Sequence, residues 1–564
     1  MRKLSLRDLF TRFFPLRNFP MRYLTFALAI VTFVLSSCIA LLSNAGWWLV
    51  LLSGALCVVG LADVLQRKRS ILRNYPILAH FRFLFETIRP EIRQYFLESD
   101  TDTNPFSRNQ RSLVYQRAKK VFDIRPFGTQ LDLYADGYEW INHSIVPVEV
   151  QGHDFRITIG AGRAQPYSAS VFNISAMSFG ALSANAIRAL NRGAEIGKFM
   201  HDTGEGSISR HHLPDDLSTA GGDLVWEIGS GYFGCRDDNG HFSAERFAAN
   251  ACLPQVKMIE IKLSQGAKPG HGGVLPGAKV TPEIAAARGV QEGVDCVSPA
   301  GHSAFGTPIG LLEFVDQLRR LSGGKPTGFK LAIGHPWEFF GIVKAMLETG
   351  IKPDFIVVDG GEGGTGAAPV EFADHVGVPL QEALRLVHNT LVGTNLRGEI
   401  RIGASGKIIT AFDIARTIAL GADWCNSARG FMFALGCIQS QTCHTGTCPT
   451  GVATQDPLRQ RALVVPDKAS RVAHFHQNTL RALAQLIAAA GLRDPSELKP
   501  RHIVRRVSPN KVMLASVLLP YLEPGQLLKP IAEPGSDVAG TVPLSEVFAT
   551  YWPISRAASF HPIK

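Results

Sequence analysis

The pattern of apolar and polar residues sets the first seventy residues apart from the rest of the chain. Residues 23–42 form an uncharged apolar run of about the length that crosses a bilayer, and residues 46–65 form a second, slightly shorter run. Ser43-Asn44-Ala45 lies between the two runs and suits a turn. The pattern therefore predicts an N-terminal transmembrane hairpin of two helices.

Basic residues flank the outer ends of this predicted hairpin. By the positive-inside rule both ends lie in the cytoplasm, so we expect the cytoplasmic (inner) membrane, with the rest of the chain on its cytoplasmic side. A cleaved signal peptide and a buried core hairpin are competing interpretations, but no small-residue cleavage site is evident and a second span follows the first. The flanking residues are Arg2, Lys3, Arg7, Arg12, Arg17 and Arg22 before the hairpin, and Arg67, Lys68, Arg69 and Arg73 after it.

From about residue 168 to residue 430, short β-type runs alternate with Ala-rich helical stretches, which is typical of βα units with a parallel sheet. Eight strands separated by helices predict an α/β fold, a (β/α)8 TIM barrel whose active site lies at the carboxyl ends of the strands. An open doubly wound sheet is the alternative. The strand candidates are residues 171–177, 199–203, 258–263, 294–298, 328–333, 355–359, 400–404 and 424–428.

Glycine-rich segments follow the last three strand candidates. They read Asp359-Gly-Gly-Glu-Gly-Gly-Thr-Gly366, Gly403-Ala-Ser-Gly406 and Asn426-Ser-Ala-Arg429-Gly430. Glycine lets the backbone approach a ligand closely, and free N–H groups at such loops and at the following helix can bind a phosphate. A single loop of this kind is usually only a turn. Two at the strands where TIM barrels often bind phosphate favour a phosphate site.

Charged residues accompany the other strand ends. Lys262 and Lys330 lie in strand candidates, Lys268 follows one, and Glu205 lies in Asp202-Thr-Gly-Glu-Gly206. A buried lysine must be ion-paired or face a ligand, because burial of an unpaired ammonium is costly. Each lysine alone fits a solvated or paired position equally well, but together they favour an anionic cofactor and an anionic substrate.

Three cysteines within twelve residues, in Cys437-Ile-Gln-Ser-Gln-Thr-Cys443-His-Thr-Gly-Thr-Cys448-Pro449, have the spacing of an iron–sulfur loop. Zinc is a second possibility but needs a fourth ligand, and His444 is adjacent to Cys443. Buried thiols or a disulfide are the structural alternatives. The remaining six cysteines are scattered without a paired framework, which indicates a reducing, cytoplasmic environment for the soluble part.

Several motifs occur together and in a characteristic order along residues 175–492. They are Ala176-Met-Ser-Phe-Gly180, Thr203-Gly-Glu-Gly206, Ile259-Glu-Ile-Lys-Leu-Ser-Gln-Gly-Ala-Lys-Pro-Gly270, Leu275-Pro-Gly277, Gly363-Gly-Thr-Gly-Ala367 and the cysteine loop continued to Asp456. In these motifs the chain resembles the FMN-binding synthase domain of glutamate synthase, and more closely the stand-alone FMN-binding glutamate synthase family proteins.

The resemblance implies a TIM barrel that binds FMN, with a [3Fe-4S] cluster on Cys437, Cys443 and Cys448. It implies that Glu205, Lys268 and Arg288 line a 2-oxoglutarate site, and that Lys268, Glu205 and Gln265 take part in catalysis. Lys330 would lie near the N1/O2 edge of the flavin, where positive charge stabilises the reduced anion. The other implied flavin contacts are Met177, Ser178 and Gln265 at the ring and Gly364, Thr365, Gly406, Arg429 and Gly430 at the phosphate.

Two segments depart from the family pattern and leave the substrate open. The Lys-Pro-Gly motif continues as His271-Gly-Gly-Val274 where glutamate synthase has Glu-Gly-Gly-Gln, and Pro299-Ala-Gly-His-Ser303 replaces a Pro-Pro-Pro-His-His stretch. By analogy with the family, the default expectation is reduction of 2-oxoglutarate with ammonia to glutamate. No glutaminase domain precedes the barrel, so we do not expect the chain to make its own ammonia from glutamine. The alternatives are another amino or oxo acid, with electron exchange with membrane quinone, or a non-catalytic redox flavoprotein.

Partners and domains follow from the same pattern. No nicotinamide fingerprint is present, so we expect electrons from a ferredoxin or a separate reductase subunit. The net charge of +10 is partly concentrated at the hairpin flanks, where it suits membrane lipid rather than nucleic acid. The predicted parts are the hairpin at 1–73, a connector at 74–150, the FMN-binding barrel with its iron–sulfur loop at 151–492, and a C-terminal tail at 493–564.

Overall fold

The computed structural model describes residues 21–101, 104–214, 220–529 and 545–563. The chain forms two compact units that divide between Ser99 and Asp100. The segment predicted as a connector contributes to both units. Most of the basic flank that precedes the predicted hairpin, from Arg2 to Arg17, lies outside the described residues.

Two long helices form the start of the first unit. Helices α1 (Leu24–Ser43) and α2 (Trp47–Leu65) are joined by a short turn in which Asn44 and Gly46 adopt positive φ angles. Ser36 and Ser53 hydroxyls lie 3.3 Å apart between the helices. Both helices are long and apolar enough to cross a membrane, with mean hydropathies of 2.4 and 2.2, and they agree with the predicted spans.

A polar clasp joins the end of α2 to the helices that follow it, α3 (Ser70–Asn74) and α4 (Ala79–Ile92). One Asp63 oxygen accepts the Ile77 backbone N–H at 2.9 Å, and the carboxylate lies 2.9 Å from His80 Nε2. The buried carboxylate therefore has partners, and it fixes where α4 begins relative to α2. A π-helical turn, Arg93–Leu97, extends α4.

The second unit contains a closed barrel of eight parallel strands. The ring closes where the last strand pairs with the first, with Asn426 opposite Asn173. This arrangement confirms the predicted TIM barrel and excludes the open doubly wound sheet. The strands are β1 (Phe172–Ile174), β2 (His201–Asp202), β3 (Leu224–Ile228), β4 (Val256–Lys262), β5 (Thr327–Leu331), β6 (Phe355–Asp359), β7 (Arg401–Ser405) and β8 (Trp424–Ser427).

One predicted strand was wrong and one real strand was missed. Within residues 294–298, only Cys296–Val297 is extended, and it pairs antiparallel with Val274–Leu275 outside the barrel. Val297 is largely exposed, because this short hairpin lies in a loop. The third barrel strand is instead β3, whose buried Glu227 interrupts an apolar run. The candidate at 258–263 is therefore the fourth strand.

Helices surround the barrel, and the main apolar core lies between them and the strands. Side-chain caps set where several of them begin, as Ser183, Thr307 and Thr410 accept backbone N–H groups of the first turn. The helices are α5 (Arg108–Lys119), α6 (Ala184–Gly197), α7 (Ala244–Ala251), α8 (Pro282–Arg288), α9 (Pro308–Leu321), α10 (Pro336–Thr349), α11 (Val370–His375), α12 (Leu380–Gly393), α13 (Ala411–Ala419), α14 (Arg429–Leu435), α15 (Pro457–Gln460), α16 (Val465–Ala489), α17 (Ala515–Leu518) and α18 (Glu546–Ile554).

Additional strands cover one end of the barrel. The hairpin Arg156–Ile159 and Tyr167–Ser170 places Ile159 and Tyr167 in a core with residues from the starts of the barrel strands, such as Met258 and Phe355. This end is closed by packed side chains. A ligand therefore has access to the barrel only from the carboxyl ends of the strands, which is where TIM barrels bind their substrates.

The C-terminal tail packs on the same unit. Its strands Ile503–Ser508 and Lys511–Leu514 form an antiparallel sheet with Glu139–Ile141. Near the C-terminus, Lys344 Nζ on α10 donates to the carbonyls of Trp552 and Ser555. The tail thus contacts a helix on the outside of the barrel.

Candidate active site

A charged cluster lies inside the barrel and is built from four neighbouring strands. Lys330 Nζ of β5 contacts the Glu227 carboxylate, and it lies 3.3 Å from Glu260 Oε1 and 4.0 Å from Asp202 Oδ2. Burial, together with Asp202 and Asp359, raises the pKa of Glu260 well above its ordinary value. Three carboxylates surround one ammonium, so a proton shared among the acids relieves their repulsion.

A second cluster lies beyond the strand ends and centres on Glu205, which follows β2. Lys262 Nζ at the end of β4 lies 2.9 Å from Glu205 Oε2. Burial raises the pKa of Glu205, but the positive charges of Lys262, Arg288 and Lys268 outweigh that effect and the net pKa is lowered. Glu205 is therefore an ionised carboxylate among three cations.

Two backbone positions that face Glu205 must be free of side chains. A Cβ on Gly273 would lie 2.4 Å from Glu205 Oε1, and one on Gly229 would lie 3.0 Å from Glu205 Cβ. Only glycine allows the backbone to approach the carboxylate this closely. The loop 270–273 thus forms a wall of the cleft that also contains Lys262 and Gln265.

Lys268 and Arg288 are both buried, and each is held by a backbone carbonyl. Lys268 Nζ donates to the Gly272 carbonyl at 2.7 Å, and burial lowers the pKa of this lysine. Arg288 Nη2 donates to the Phe179 carbonyl at 3.1 Å, and its guanidinium lies 5.1 Å from the Phe233 ring centroid. Among the described residues, no carboxylate contacts either cation directly, so both are available for an anionic ligand.

The segments predicted to contact a flavin ring adjoin this cleft. Ser178 Oγ accepts the Gly206 N–H at 3.2 Å, which brings the Met177-Ser178 segment against the loop that carries Glu205. The Gly266 N–H donates to Asp359 Oδ2 at 2.8 Å, which ties the Gln265 loop to the end of β6. The ends of β1, β2, β4 and β6 are therefore joined around one opening.

The predicted phosphate-binding residues come together at the ends of β6, β7 and β8. Arg429 Nη2 donates to the Gly364 carbonyl at 2.7 Å. Gly406 lies against Leu380, whereas Gly430 is buried in the first turn of α14, under Ser427 and Phe475. Thr365 is half-buried beside them. A guanidinium thus lies over a glycine-rich loop, an arrangement suited to a phosphate.

The cysteine loop lies directly against the glycine-rich loop of β6. A Cβ on Gly366 would be 3.4 Å from Cys443 Cβ, and Lys279 Nζ donates to the Cys443 carbonyl at 3.0 Å. The Tyr115 hydroxyl of α5 donates to the Cys437 carbonyl at 2.6 Å. The loop is therefore held from three sides.

The three thiols of the loop differ in their surroundings. Burial raises the pKa of Cys437 to about 11. Burial also raises the pKa of Cys448, but the backbone N–H groups of Ala453, Thr450 and Val452 and the Thr450 hydroxyl outweigh it, and the net pKa is lowered. All nine cysteines are free, which rules out the disulfide interpretation in this structure. Hydrogen bonds to sulfur are typical of iron–sulfur ligands.

The structure brings most of the predicted residues into one region, and Lys330 lies next to it, opposite Lys262 on the neighbouring strand. Lys330 lies inside the barrel in its ion-pair cluster, whereas Glu205, Lys268, Gln265 and Arg288 lie around the cleft. Several residues in or beside these clusters had no site role predicted from the sequence. A charged residue inside an otherwise apolar strand was the available signal for Asp202, Glu227 and Glu260. His302, whose ring lies 2.8 Å from the Lys262 carbonyl, belongs to the segment that departs from the family pattern.

Comparison with known proteins decides the family. Residues 148–493 match the family model described as the conserved region in glutamate synthase. The chain is also 38% identical over 486 residues to the glutamate synthase large subunit-like protein YerD of Bacillus subtilis, which covers 79% of this chain and 91% of that protein. The chain belongs to the glutamate synthase family.

Other glutamate synthases match over less of their length. The archaeal glutamate synthase [NADPH] of Methanocaldococcus jannaschii is 38% identical over 328 residues, which is 58% of this chain and 60% of that protein. A solved double mutant of flavocytochrome b2 with pyruvate bound has a TM-score of 0.40 at 13% identity, covering 78% of this chain and 89% of that one. Family membership confirms the predicted enzyme class, an oxidoreductase acting on CH–NH2 donors.

Proposed function

We propose that this protein is a membrane-tethered FMN and iron–sulfur enzyme that forms glutamate from 2-oxoglutarate and ammonia. The observation that carries the proposal is the charge set around Glu205. In the described part of the chain, Lys262, Lys268 and Arg288 together exceed the charge of Glu205 by two positive charges. A dicarboxylate such as 2-oxoglutarate would balance this excess, and cationic side chains bind carboxylates through charge-assisted hydrogen bonds.

The residues of the chain that would act on this substrate have separable roles. Lys268 and Arg288 would bind its carboxylates, and the carbonyl bonds that hold them would keep them in place. Lys262 would orient Glu205 through their 2.9 Å ion pair. Glu205, ionised because its pKa is lowered, would accept a hydrogen bond from an N–H group of the protonated imine and so stabilise the cation that is reduced to the amine.

The described residues also fit FMN. Gly364, Thr365, Gly406, Arg429 and Gly430 would hold its phosphate, and the guanidinium over the β6 loop supports this role. Met177, Ser178 and Gln265 would contact the ring, and Lys330 would supply positive charge from inside the barrel. FMN, when bound, supplies hydride transfer to or from carbon.

The cysteine loop fits a [3Fe-4S] cluster on Cys437, Cys443 and Cys448. Three free thiols, with N–H donors around Cys448, are suitable ligands for iron, and the described residues show no further cysteine in the loop for a fourth. The contact between Gly366 and Cys443 supports electron passage between the loop and the flavin site. We propose a ferredoxin or a separate reductase subunit as the electron donor.

Another 2-oxo acid is a second candidate substrate, and one observation favours it. His271, Gly272 and Gly273, which belong to the segment that departs from the family pattern, line the same cleft as Glu205 and Lys262. A changed wall of the cleft would change which chemical group the cleft accepts at the end of the substrate remote from its reacting carbon. Quinone reactivity and a non-catalytic role have no such support in the described residues.

Anaerobic turnover tests the proposal. Purified protein is supplied with reduced ferredoxin and a panel of 2-oxo acids of different length and charge, with and without ammonia, and amino acid products are measured. Ammonia-dependent glutamate formation from 2-oxoglutarate is the expected result. Preference for a monocarboxylic oxo acid would establish the second candidate, and no amino acid from any oxo acid would refute the proposed activity.

A further inference from the structure

The helix α4 and the π-helical turn after it carry an apolar stripe that the described part of the chain leaves exposed. Phe81, Leu84, Phe85 and Ile88 recur at helical spacing and are 37–60% exposed. Ile92 continues the row, and Tyr95 and Phe96 follow in the π-helical turn, with Phe96 82% exposed. At 100° of rotation per residue the stripe spans about 120° of the helix. An exposed apolar face of this size indicates a binding surface.

Basic residues follow one edge of the stripe. Beside it, at helical spacing, lie Arg82, Arg89 and Arg93. Arg82 forms an ion pair with Glu86, with Nε and Oε1 2.9 Å apart. Between Gln66 and Leu97 the sequence holds seven basic residues and two acidic ones, a net charge of +5. The charges exclude α4 from crossing a bilayer, because arginine and glutamate are costly at its centre. They suit a surface of anionic headgroups.

The position of α4 in the first unit points to the same surface. It begins fourteen residues after α2 ends, and the Asp63 clasp to Ile77 and His80 ties it to the end of that candidate membrane helix. Arg69 also lies 4.7 Å from the Phe83 ring, on the side of α4 away from the stripe. The helix is thus fixed where the candidate hairpin would leave the bilayer.

We infer that α4 is an interfacial helix that lies on an anionic lipid surface, with the apolar stripe inserted among the acyl chains and the arginines on headgroup phosphates. Helices of this kind bind through buried apolar area together with attraction to anionic lipid. The inference rests on the membrane tether in the proposed function. It adds a second attachment, sensitive to lipid charge and salt, to the hairpin.

Photo-crosslinking in proteoliposomes tests this inference on the full chain. A benzophenone amino acid replaces Phe85 in the stripe or, as a matched control, exposed Thr87 on the opposite face. We expect lipid adducts from position 85 and few from position 87. Adducts between position 85 and a second protein chain would overturn the lipid assignment in favour of a subunit interface, and the absence of any adduct from position 85 would overturn the exposed stripe as a binding surface.

Hydrogen exchange tests the role of the arginines. In vesicles that contain anionic phosphatidylglycerol, amides of residues 79–92 should be protected, and each of Arg82→Gln, Arg89→Gln and Arg93→Gln should reduce this protection about fivefold. In neutral phosphatidylcholine the three substitutions should have little effect. Equal effects in both lipids would refute the electrostatic role. Carbonate extraction of the same vesicles tests the hairpin separately. A chain that resists carbonate but shows neither lipid adducts nor protection of α4 would be attached to the membrane by the hairpin alone.

Discussion

Replacement of Lys268 with methionine isolates the charge that we assign to substrate binding. The Lys268 ammonium has three donors, and the Gly272 carbonyl accepts one of them at 2.7 Å. Two donors remain for a substrate carboxylate. Methionine preserves most of the buried apolar stem and removes the charge, so the substitution tests the ammonium rather than the packing.

The expected loss is large because the contact is charge-assisted and buried. A hydrogen bond of this kind contributes about 1.5–3 kcal/mol, which corresponds to a rise in the Kd of the oxo acid of about 10- to 150-fold. Calorimetric titration of the oxidised, flavin-loaded protein measures this Kd without electron delivery. Burial lowers the pKa of Lys268, so this lysine loses its proton at a lower pH than an ordinary lysine does. The affinity of the parent protein for the oxo acid should therefore fall as pH rises through the lowered pKa. Lys268→Met should lack this dependence.

Lys279→Met is the matched control. Lys279 is half-buried. Like Lys268, it donates to a loop carbonyl, at 3.0 Å, and has a pKa lowered by burial, but its partner is Cys443 rather than the cleft. It should change the Kd of the oxo acid less than about twofold, within the range of a distant substitution. Equal effects of the two substitutions, or an unchanged Kd in Lys268→Met, would refute the assignment of Lys268 to the substrate.

Three further predictions test other parts of the structure. Cys443→Ser should remove iron but leave most of the FMN. The control Cys425→Ser, in barrel strand β8, should retain both. Iron and flavin contents are measured after anaerobic purification. Wild-type protein without iron would contradict the cluster. Glu260→Gln should flatten the pH dependence of stability. Because the pKa of Glu260 is raised, the folded protein retains a proton that the unfolded protein releases, so the stability of the parent protein falls as pH rises above the ordinary glutamate pKa. Thermal unfolding from about pH 5 to about pH 9 measures this slope. Steeper pH dependence in this variant would contradict the shared proton. Deletion of residues 1–69 should give a soluble, flavin-loaded protein at high salt, while the full chain resists carbonate extraction; full-length protein in the soluble fraction would refute the hairpin.

The local sequence pattern was sufficient to predict the helices and strands whose own residues indicate a buried or membrane environment. The strand at Phe355–Asp359 is where its β-branched run predicts it, and α1 and α2 follow the apolar runs closely. β3 was missed because Glu227 breaks its apolar pattern, and the carboxylate is acceptable there only because Lys330 contacts it from a strand 103 residues away. A buried ion pair of this kind cannot be recognised from either residue alone.

The same distinction applies to the site. The cysteine spacing and the glycine-rich loops could be recognised locally, and they do lie together. The carbonyl bonds that hold Lys268 and Arg288 and the ion pair of Lys262 with Glu205 depend on the folded paths of the loops. The charge of each residue was therefore predictable, but its partners were not.

The hydrogen bond from Tyr115 to Cys437 has a consequence for how the protein is made. Its two residues are 322 positions apart, so at about 5–20 residues per second a ribosome needs roughly 16 to 64 seconds to pass from one to the other. During that interval α5 has emerged without the loop on which it packs, and the barrel lacks the strand that closes it. Any cofactor held by the cysteine loop must consequently be delivered late, to a chain whose first hundred residues left the ribosome long before.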